Sequence, residues 1–322
     1  MQPINLGIIG TGIAARDLHW PALRRMPEKF TIKAVCNHTE EKAKEFSRMV
    51  GGVPYVTDYR QLLEMPEIDA VDITLPIELN YEVVKAAMQA GKDLIVEKPL
   101  AASLPQAEEL VELEKDFARV AMVAEQFRYR SRFQRIKTLL GEGRIGEPEA
   151  VFWNGFTRTD PTNKYAQTKW RLHHQYPGGF VTDGGVHNVA ALREILGEIT
   201  VIGAFTKSFN PSIGQMDSIS LQFTTSSRVS GVLNLFFGAT GYTENRLIIL
   251  GKKGAITLEN DRLTVSGDNQ TAMTEEFPDD LGFREELEDF YQSVRTGRPV
   301  KSSFKEAYLD LKVILHALAM AE

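Results

Sequence analysis

Apolar residues along the first 124 positions fall into two alternating patterns. Short runs of β-branched and aliphatic residues predict strands at 4–10, 31–36, 69–74, 93–96 and 119–124. Between them, apolar residues recur every three to four positions and predict helices at 40–49, 58–64, 78–90 and 103–118. Ser103 is a candidate N-cap, and Gly91 a candidate C′ stop for the helix before it. This alternation is the order of a doubly wound α/β half, a parallel sheet covered by helices. After a further helix at 131–141 the pattern changes. Strands then follow at 148–157, 199–207, 216–224, 229–237, 245–250, 255–259 and 262–266. Strands at such short spacing predict a large, mainly antiparallel sheet. One helix at about 185–196 interrupts them, and helices at 283–296 and 304–320 follow. The expected division is 1–123 and 124–322, with the last helix able to pack back on the first domain. In the run 229–237, Val229, Leu233, Leu235 and Phe237 face one way while Val232 and Phe236 face the other. Helices cover only one face of such a sheet, so the second apolar face is a candidate subunit interface.

The first strand runs directly into Gly10-Thr11-Gly12-Ile13-Ala14-Ala15. A glycine permits the tight turn, a second lets the backbone approach a pyrophosphate, and a small residue lets the helix lie near the strand. Amides at the helix start attract the anion. Such a turn can equally be tight packing, so the segment by itself predicts a dinucleotide site only weakly.

Composition narrows the setting. Hydrophobic residues make up 43 % of 322 and net charge is −6, with both signs interspersed. That pattern argues against a nucleic-acid binder, and no apolar run approaches a bilayer span. A lone cysteine, Cys36, fits a reducing compartment and a buried small residue, so the expectation is a cytoplasmic protein without a membrane partner.

Three further segments carry a resemblance. They are Ala90-Gly91-Lys92-Asp93-Leu94-Ile95-Val96-Glu97-Lys98-Pro99-Leu100-Ala101, Gly143-Arg144-Ile145-Gly146, and Gly178-Gly179-Phe180-Val181-Thr182-Asp183-Gly184-Gly185-Val186-His187. With the glycine turn, in this order, they resemble the Gfo/Idh/MocA oxidoreductases over the entire chain. The resemblance implies a Rossmann domain followed by an α/β domain with an open sheet, and an active site at their junction. It implies hydride transfer between a nicotinamide and a sugar, polyol or related carbonyl or hydroxyl substrate. It also implies that Lys98 approaches both nicotinamide and substrate, with a Lys98–Pro99 bond that is often cis.

The residues themselves weigh in the same direction. Lys98 ends an apolar strand, where open α/β sheets hold ligands, although an arbitrary lysine is a surface residue. Asp183 and His187 are four apart at a helix start, so carboxylate and imidazole share a face. Asp183 as an N-cap and His187 as a core histidine are the plain alternatives. By resemblance His187 exchanges the proton, Asp183 orients substrate or tunes the ring, and Lys98 stabilises the oxyanion.

For the cofactor, Asn37-His38-Thr39 occupy the end of the second strand, with Lys42 nearby and no carboxylate to repel a 2′-phosphate. NADP(H) is therefore favoured over NAD(H). Candidate cofactor contacts are Gly10, Thr11, Gly12, Ile13, Ala14, Asn37, His38, Thr39, Thr74, Pro76, Asn80, Glu97, Lys98 and Gln126. Trp170 and Arg171 join Lys98, Asp183 and His187 as substrate-side candidates, the alternatives being a core tryptophan and a salt-bridge arginine. His316, in an apolar helix, reads as structural, and no histidine or cysteine spacing calls for a metal. Two positions depart from the family pattern: Asn80, often His, and Ala190, often Asp. The expected partners are a small-molecule substrate and a second copy, as homodimer or homotetramer through the sheet. A redox-neutral lyase or glycosidase using nicotinamide transiently, or a non-catalytic nucleotide-binding regulator, are the competing functions.

Overall fold

The computed structural model describes residues 2–160, 162–214, 216–267 and 272–321. The chain forms two compact units, one of Met1–Gln126 with Phe283–Tyr308, the other of Phe127–Gly282 with Leu309–Glu322. No helix among the described residues is long and apolar enough to cross a membrane.

In the first unit, β1 (Ile4–Ile9), β2 (Phe30–Cys36), β3 (Tyr55–Val56), β4 (Ala70–Ile73), β5 (Asp93–Glu97) and β6 (Ala121–Ala124) form one sheet. Its order is β3-β2-β1-β4-β5-β6, and every pairing is parallel. All four residues of β4 and of β6 are buried, as expected when helices cover both faces. Those covers include α1 (Trp20–Leu23), α2 (Glu40–Met49), α3 (Tyr59–Leu63), α4 (Ile77–Gln89) and α5 (Leu104–Lys115). Strand order reverses at β1, so the ligand crevice of this topology lies at the carboxyl ends of β1 and β4.

The second unit contains α6 (Ser131–Gly141), β7 (Pro148–Phe156), α7 (Lys169–Leu172) and α8 (Phe180–Leu196). Then come β8 (Ile199–Lys207), β9 (Ser218–Thr225), β10 (Ser230–Phe236), β11 (Glu244–Gly251), β12 (Gly254–Glu259), β13 (Arg262–Gly267) and β14 (Met273–Glu276). The eight strands order as β14-β13-β12-β11-β7-β10-β9-β8, mainly antiparallel, with β7 and β10 parallel. Helix α9 (Phe283–Thr296) belongs to the first unit, and α10 (Phe304–Ala321) spans the division. In β10, Leu233 and Leu235 are buried while Val232 and Phe236 are partly exposed, the alternation the sequence predicts.

Three short elements, β3, α7 and β14, escape the periodicity because two to four residues hold too few turns of any pattern. Strand β1 stops at Ile9, since Gly10 turns with φ of 96°. Helix α8 begins at Phe180, five residues before its predicted start. Gly184 and Gly185, directly after the first turn, disguise that start: a Cβ on Gly184 would lie 2.6 Å from the Phe237 ring, so glycine there serves close packing. Gly91 does follow the end of α4, with φ of 67°, and Ser103 occupies the N-cap of α5 without a side-chain cap bond. His316 is exposed on α10, contrary to its expected structural role in the apolar helix.

Each unit buries a charged network. In the second, Asp310 on α10 accepts from Arg128 at 2.6 and 2.8 Å and from Arg193 of α8 at 2.6 Å. All three are at most 5 % exposed. In the first, His19 stands between Asp72 of β4, at 2.9 Å, and Glu97 of β5, at 3.1 Å. Burial alone favours the neutral ring, but the two carboxylates outweigh it and hold the His19 pKa well above its usual value. Glu286 on α9 is 1 % exposed, and neither carboxyl oxygen has a hydrogen-bond partner. Burial pushes its pKa well above the usual range; the His19 imidazolium opposes this, while Glu97, Glu125 and Asp72 reinforce it.

Removing one member of a buried ion network strands the others, so Asp310→Ala should cost about 3–5 kcal/mol by denaturant unfolding. A cost under about 1 kcal/mol would show that the network is not coupled to the fold. His19 and Glu286 both carry raised folded pKa values. Their stabilising contributions are therefore complete below the unfolded values, near 6.5 and 4.3, and decline as pH rises through the folded ones. Glu286→Gln needs no proton, so its melting temperature relative to the native chain should climb as pH rises above the unfolded glutamate value of about 4.3, by roughly 2–4 °C per kcal/mol. Parallel profiles would contradict this.

Candidate active site

At the crevice of the first unit the turn is built by exclusion. A Cβ on Gly10 would sit 2.4 Å from the carbonyl oxygen of Thr74, so only glycine fits. Thr74 Oγ1 in turn donates to Gly10 O at 2.8 Å, joining the ends of β1 and β4. At Gly12, by contrast, a Cβ would meet no protein atom within 4 Å. The glycine there satisfies no internal packing, and it leaves bare backbone open to a close ligand such as a pyrophosphate. Ile13 and Ala14 begin the helical stretch, partly exposed, and Ala15 is fully buried. The stretch Ala15–His19 is π-helical before it tightens into α1.

Asn37 closes the next corner. Its Nδ2 donates to Thr11 Oγ1 at 2.9 Å and its Oδ1 accepts from the Thr39 amide at 2.9 Å. His38 and Lys42 are exposed beside it, so the end of β2 presents an amide and donors. Pro76 is the N-cap residue of α4. These residues fit a dinucleotide: the pyrophosphate would be held over Gly10 to Ala14 and the adenosine ribose near Asn37 to Thr39.

The Lys98–Pro99 bond is cis. Asn80, fully buried, donates its Nδ2 to both Glu97 O and Pro99 O at 2.9 Å. Asparagine at this position thus grips the main chain on either side of Lys98. The Glu97 carboxylate accepts from the Lys98 amide at 3.1 Å and from His19 through its other oxygen. Gln126 is buried where the 3₁₀ turn Gln126–Tyr129 begins.

In the second unit, α8 presents Asp183 and His187 one turn apart. Gly179, with φ of 49°, is the N-cap, and the Asp183 amide bonds to Gly179 O at 3.0 Å. Asp183 therefore lies inside the first turn, which overturns the N-cap alternative. Its Oδ2 accepts from Arg171 Nε at 2.7 Å, and the Arg171 guanidinium lies 4.0 Å over the Trp170 ring. Arg171 is thus bound to the carboxylate, and Trp170, partly buried, backs the arginine. The His187 ring stacks on Phe127 at 4.7 Å, and Arg130 covers Phe127 at 3.8 Å. Beside this stack a cavity of about 170 Å³ opens along the sheet, lined by Phe127, Arg130, Trp153, Asn188, Asn245 and Asn260 among others. Ala190 is fully buried.

His19, Asp72 and Glu286 lie outside the sequence expectations. One signal was present: Asp72 interrupts the apolar run Ala70-Val71-Asp72-Ile73, and a carboxylate in a central strand requires a buried partner. Among the described residues, no group of three or more His, Cys, Asp or Glu could hold a metal ion.

Comparison with known proteins agrees with this architecture. Residues 4–125 match the oxidoreductase family with an NAD-binding Rossmann fold, and residues 133–257 match the GFO/IDH/MocA C-terminal domain. An oxidoreductase structure from Thermotoga maritima is 37 % identical, with a TM-score of 0.94 over 99 % of this chain and 97 % of that one. A 3-ketoreductase from Actinomadura kijaniata, in complex with NADP and TDP-benzene, shares the fold at 22 % identity. Its TM-score is 0.86, over 99 % of this chain and 98 % of that one. A levoglucosan dehydrogenase in complex with NADH and levoglucosan does so at 24 % identity and a TM-score of 0.88, over 100 % and 98 %. Two matched domains in series, with a crevice whose glycines fit a dinucleotide, assign the chain: it belongs to the GFO/IDH/MocA family of NAD(P)-dependent oxidoreductases.

Proposed function

We propose that the protein reduces or oxidises a sugar, polyol or related ketone with NADP(H), using Lys98, Asp183 and His187. The observation that carries this reading is the surrounding of His187. Its imidazole is braced by Phe127, one helical turn from an arginine-held carboxylate, beside a cavity that combines aromatic faces with amides. Asn188, Asn245 and Asn260 offer hydrogen bonds to hydroxyl groups, and the aromatic and aliphatic residues around them give the cavity an apolar wall. The cavity suits a single ring rather than an oligosaccharide.

A bound nicotinamide supplies or accepts the hydride. The chain's own residues handle the oxygen. His187 exchanges the hydroxyl proton, a task suited to a group whose reference pKa is near 6.5. Asp183, fixed by Arg171, orients the hydroxyl or the ring. The Lys98 ammonium stabilises negative charge developing on that oxygen. At the end of β2, Asn37 sets Thr11 and Thr39 in place, and His38, Thr39 and Lys42 offer donors to a 2′-phosphate. This supports NADP(H) over NAD(H).

The outer face of the second sheet exposes Phe152 and Phe205, and Phe236 packs edge-on against Phe156 and Phe209 there. We assign this apolar face to a homodimer or homotetramer contact. Cys36 is buried, with its thiol pushed up to about 12 chiefly by burial, and a cytoplasmic location fits that unreactive thiol.

A screen of aldoses, ketoses and polyols with both nucleotides tests the reading. Turnover should be at least about tenfold more efficient with NADP(H), and Lys98→Ala and His187→Ala should each lose roughly 10²–10⁴-fold in kcat while remaining folded. Full activity in both variants would overturn it. Light scattering should give a dimeric or tetrameric mass; a monomer at micromolar concentration would refute the interface.

A further inference from the structure

The interior of the first unit holds more charge than its fold requires. His19, Asp72 and Glu286 are each at most 1 % exposed, and Glu125 is 2 % exposed. They come from different elements: His19 from the π-helical stretch, Asp72 from β4, Glu286 from α9, and Glu125 from the residue after β6. Glu97, from β5, completes the group, and the Phe283 ring of α9 lies 6.1 Å from the His19 ring. Burying so many carboxylates is costly, and an apolar replacement of similar volume often stabilises a fold. Stability alone therefore does not account for the arrangement.

The geometry is directional. Asp72 holds His19 Nδ1 with both oxygens, at 2.9 and 3.0 Å, so the ring cannot rotate away. His19 Nε2 then reaches Glu97 Oε1 at 3.1 Å. Glu97 Oε2 accepts from the Lys98 amide at 3.1 Å. Both imidazole nitrogens face carboxylates, which suits a doubly protonated ring that donates in both directions. The chain of contacts runs from a central strand to the peptide from which the Lys98 side chain extends. Lysine has a long, flexible stem, so the protein controls its ammonium largely by fixing the backbone that bears it. The π-helical stretch ends at His19, and such widened turns occur often at functional sites.

We propose that His19 is a positioning residue for the hydride-transfer site: clamped by Asp72, it fixes the Glu97 carboxylate and through it the main chain at Lys98. Asn80 secures the flanking carbonyls, and His19 secures the amide. The inference rests on the reading of Lys98 as the group that meets the substrate oxygen.

Two neutral variants separate this role from a structural one. The side-chain nitrogen of glutamine takes the place of Nε2, so His19→Gln keeps the donor to Glu97. That of asparagine takes the place of Nδ1, so His19→Asn keeps only the bond to Asp72. A merely structural histidine would give two variants with lowered melting temperatures and equal turnover per folded molecule. The positioning role predicts a split. In His19→Asn, site-resolved hydrogen exchange at the Lys98 amide should speed up at least about tenfold while Leu94 to Val96 stay as in the native chain. Its kcat with NADPH, for the sugar that turns over best, should fall roughly 10–100-fold with the KM for NADPH within about threefold. In His19→Gln both quantities should stay within about threefold of the native chain. If His19→Asn does not fold, Glu97→Gln gives the same exchange readout, with the Lys98 amide expected to speed up as before. An unchanged Lys98 amide in the tested variant, or equal loss of turnover in both His19 variants, would overturn the proposal. Full turnover in Lys98→Ala would instead overturn the reading of Lys98, leaving the exchange result to stand.

Discussion

A buried histidine held between the buried carboxylate of Asp72 and the partly exposed one of Glu97 is the constraint on which the main chain at Lys98 depends. Glu97 ends a strand where a carboxylate would ordinarily turn to water. It points inward because His19 offers it a donor, and His19 does so because Asp72 holds the other side of the ring. Once Glu97 is turned inward, its second oxygen meets the amide of Lys98 and the residue that follows has little freedom. Asn80 completes the restraint from α4, with one amide group bonded to two carbonyls. Each contact is modest, about 0.5–3 kcal/mol for hydrogen bonds of this kind, but they converge on one peptide.

The second unit solves the same problem with opposite charges. Arg128 and Arg193 share the carboxylate of Asp310, which ties the 3₁₀ turn, α8 and α10 together. Phe127, the neighbour of Arg128, then braces the His187 ring on α8. Asp183, one turn earlier, is held by Arg171, and Arg171 is sandwiched against Trp170. Charged side chains thus tie these elements together at places where aliphatic packing would leave more freedom. Glycines do the complementary work. Gly10 and Gly184 allow backbone and ring to approach closely, and Gly12 leaves a surface uncovered.

Much of this was legible in the sequence. The alternating strand and helix periodicities of the first 124 residues, and the run of closely spaced strands after 148, follow from burial on two faces and on one. The glycine turn is legible from its place after the first strand, whereas Lys98 and the Asp183/His187 pair are legible chiefly through the motifs that resemble the family. The features without a sequence signal depend on contacts across long separations. Asp72 lies 53 residues from His19, and Asp310 lies 182 from Arg128. Neither spacing carries a local signal. Helix α8 starts earlier than its pattern predicts for a different reason: two glycines just after its first turn read as loop, although they admit the Phe237 ring and the Ile314 side chain.

The family assignment is to NAD(P)-dependent oxidoreductases, and our proposal within it is that a lysine and a histidine, each braced from within its own unit, handle the reacting oxygen. Deuterium transfer tests this most directly. With NADPH deuterated at C4 on either face and a mixture of ketoses, one of the two labelled nucleotides should place a single deuterium on the new carbinol carbon, with one nucleotide oxidised per alcohol formed. Alcohol or rearranged sugar that forms without label from either nucleotide, or without net nucleotide consumption, would contradict it.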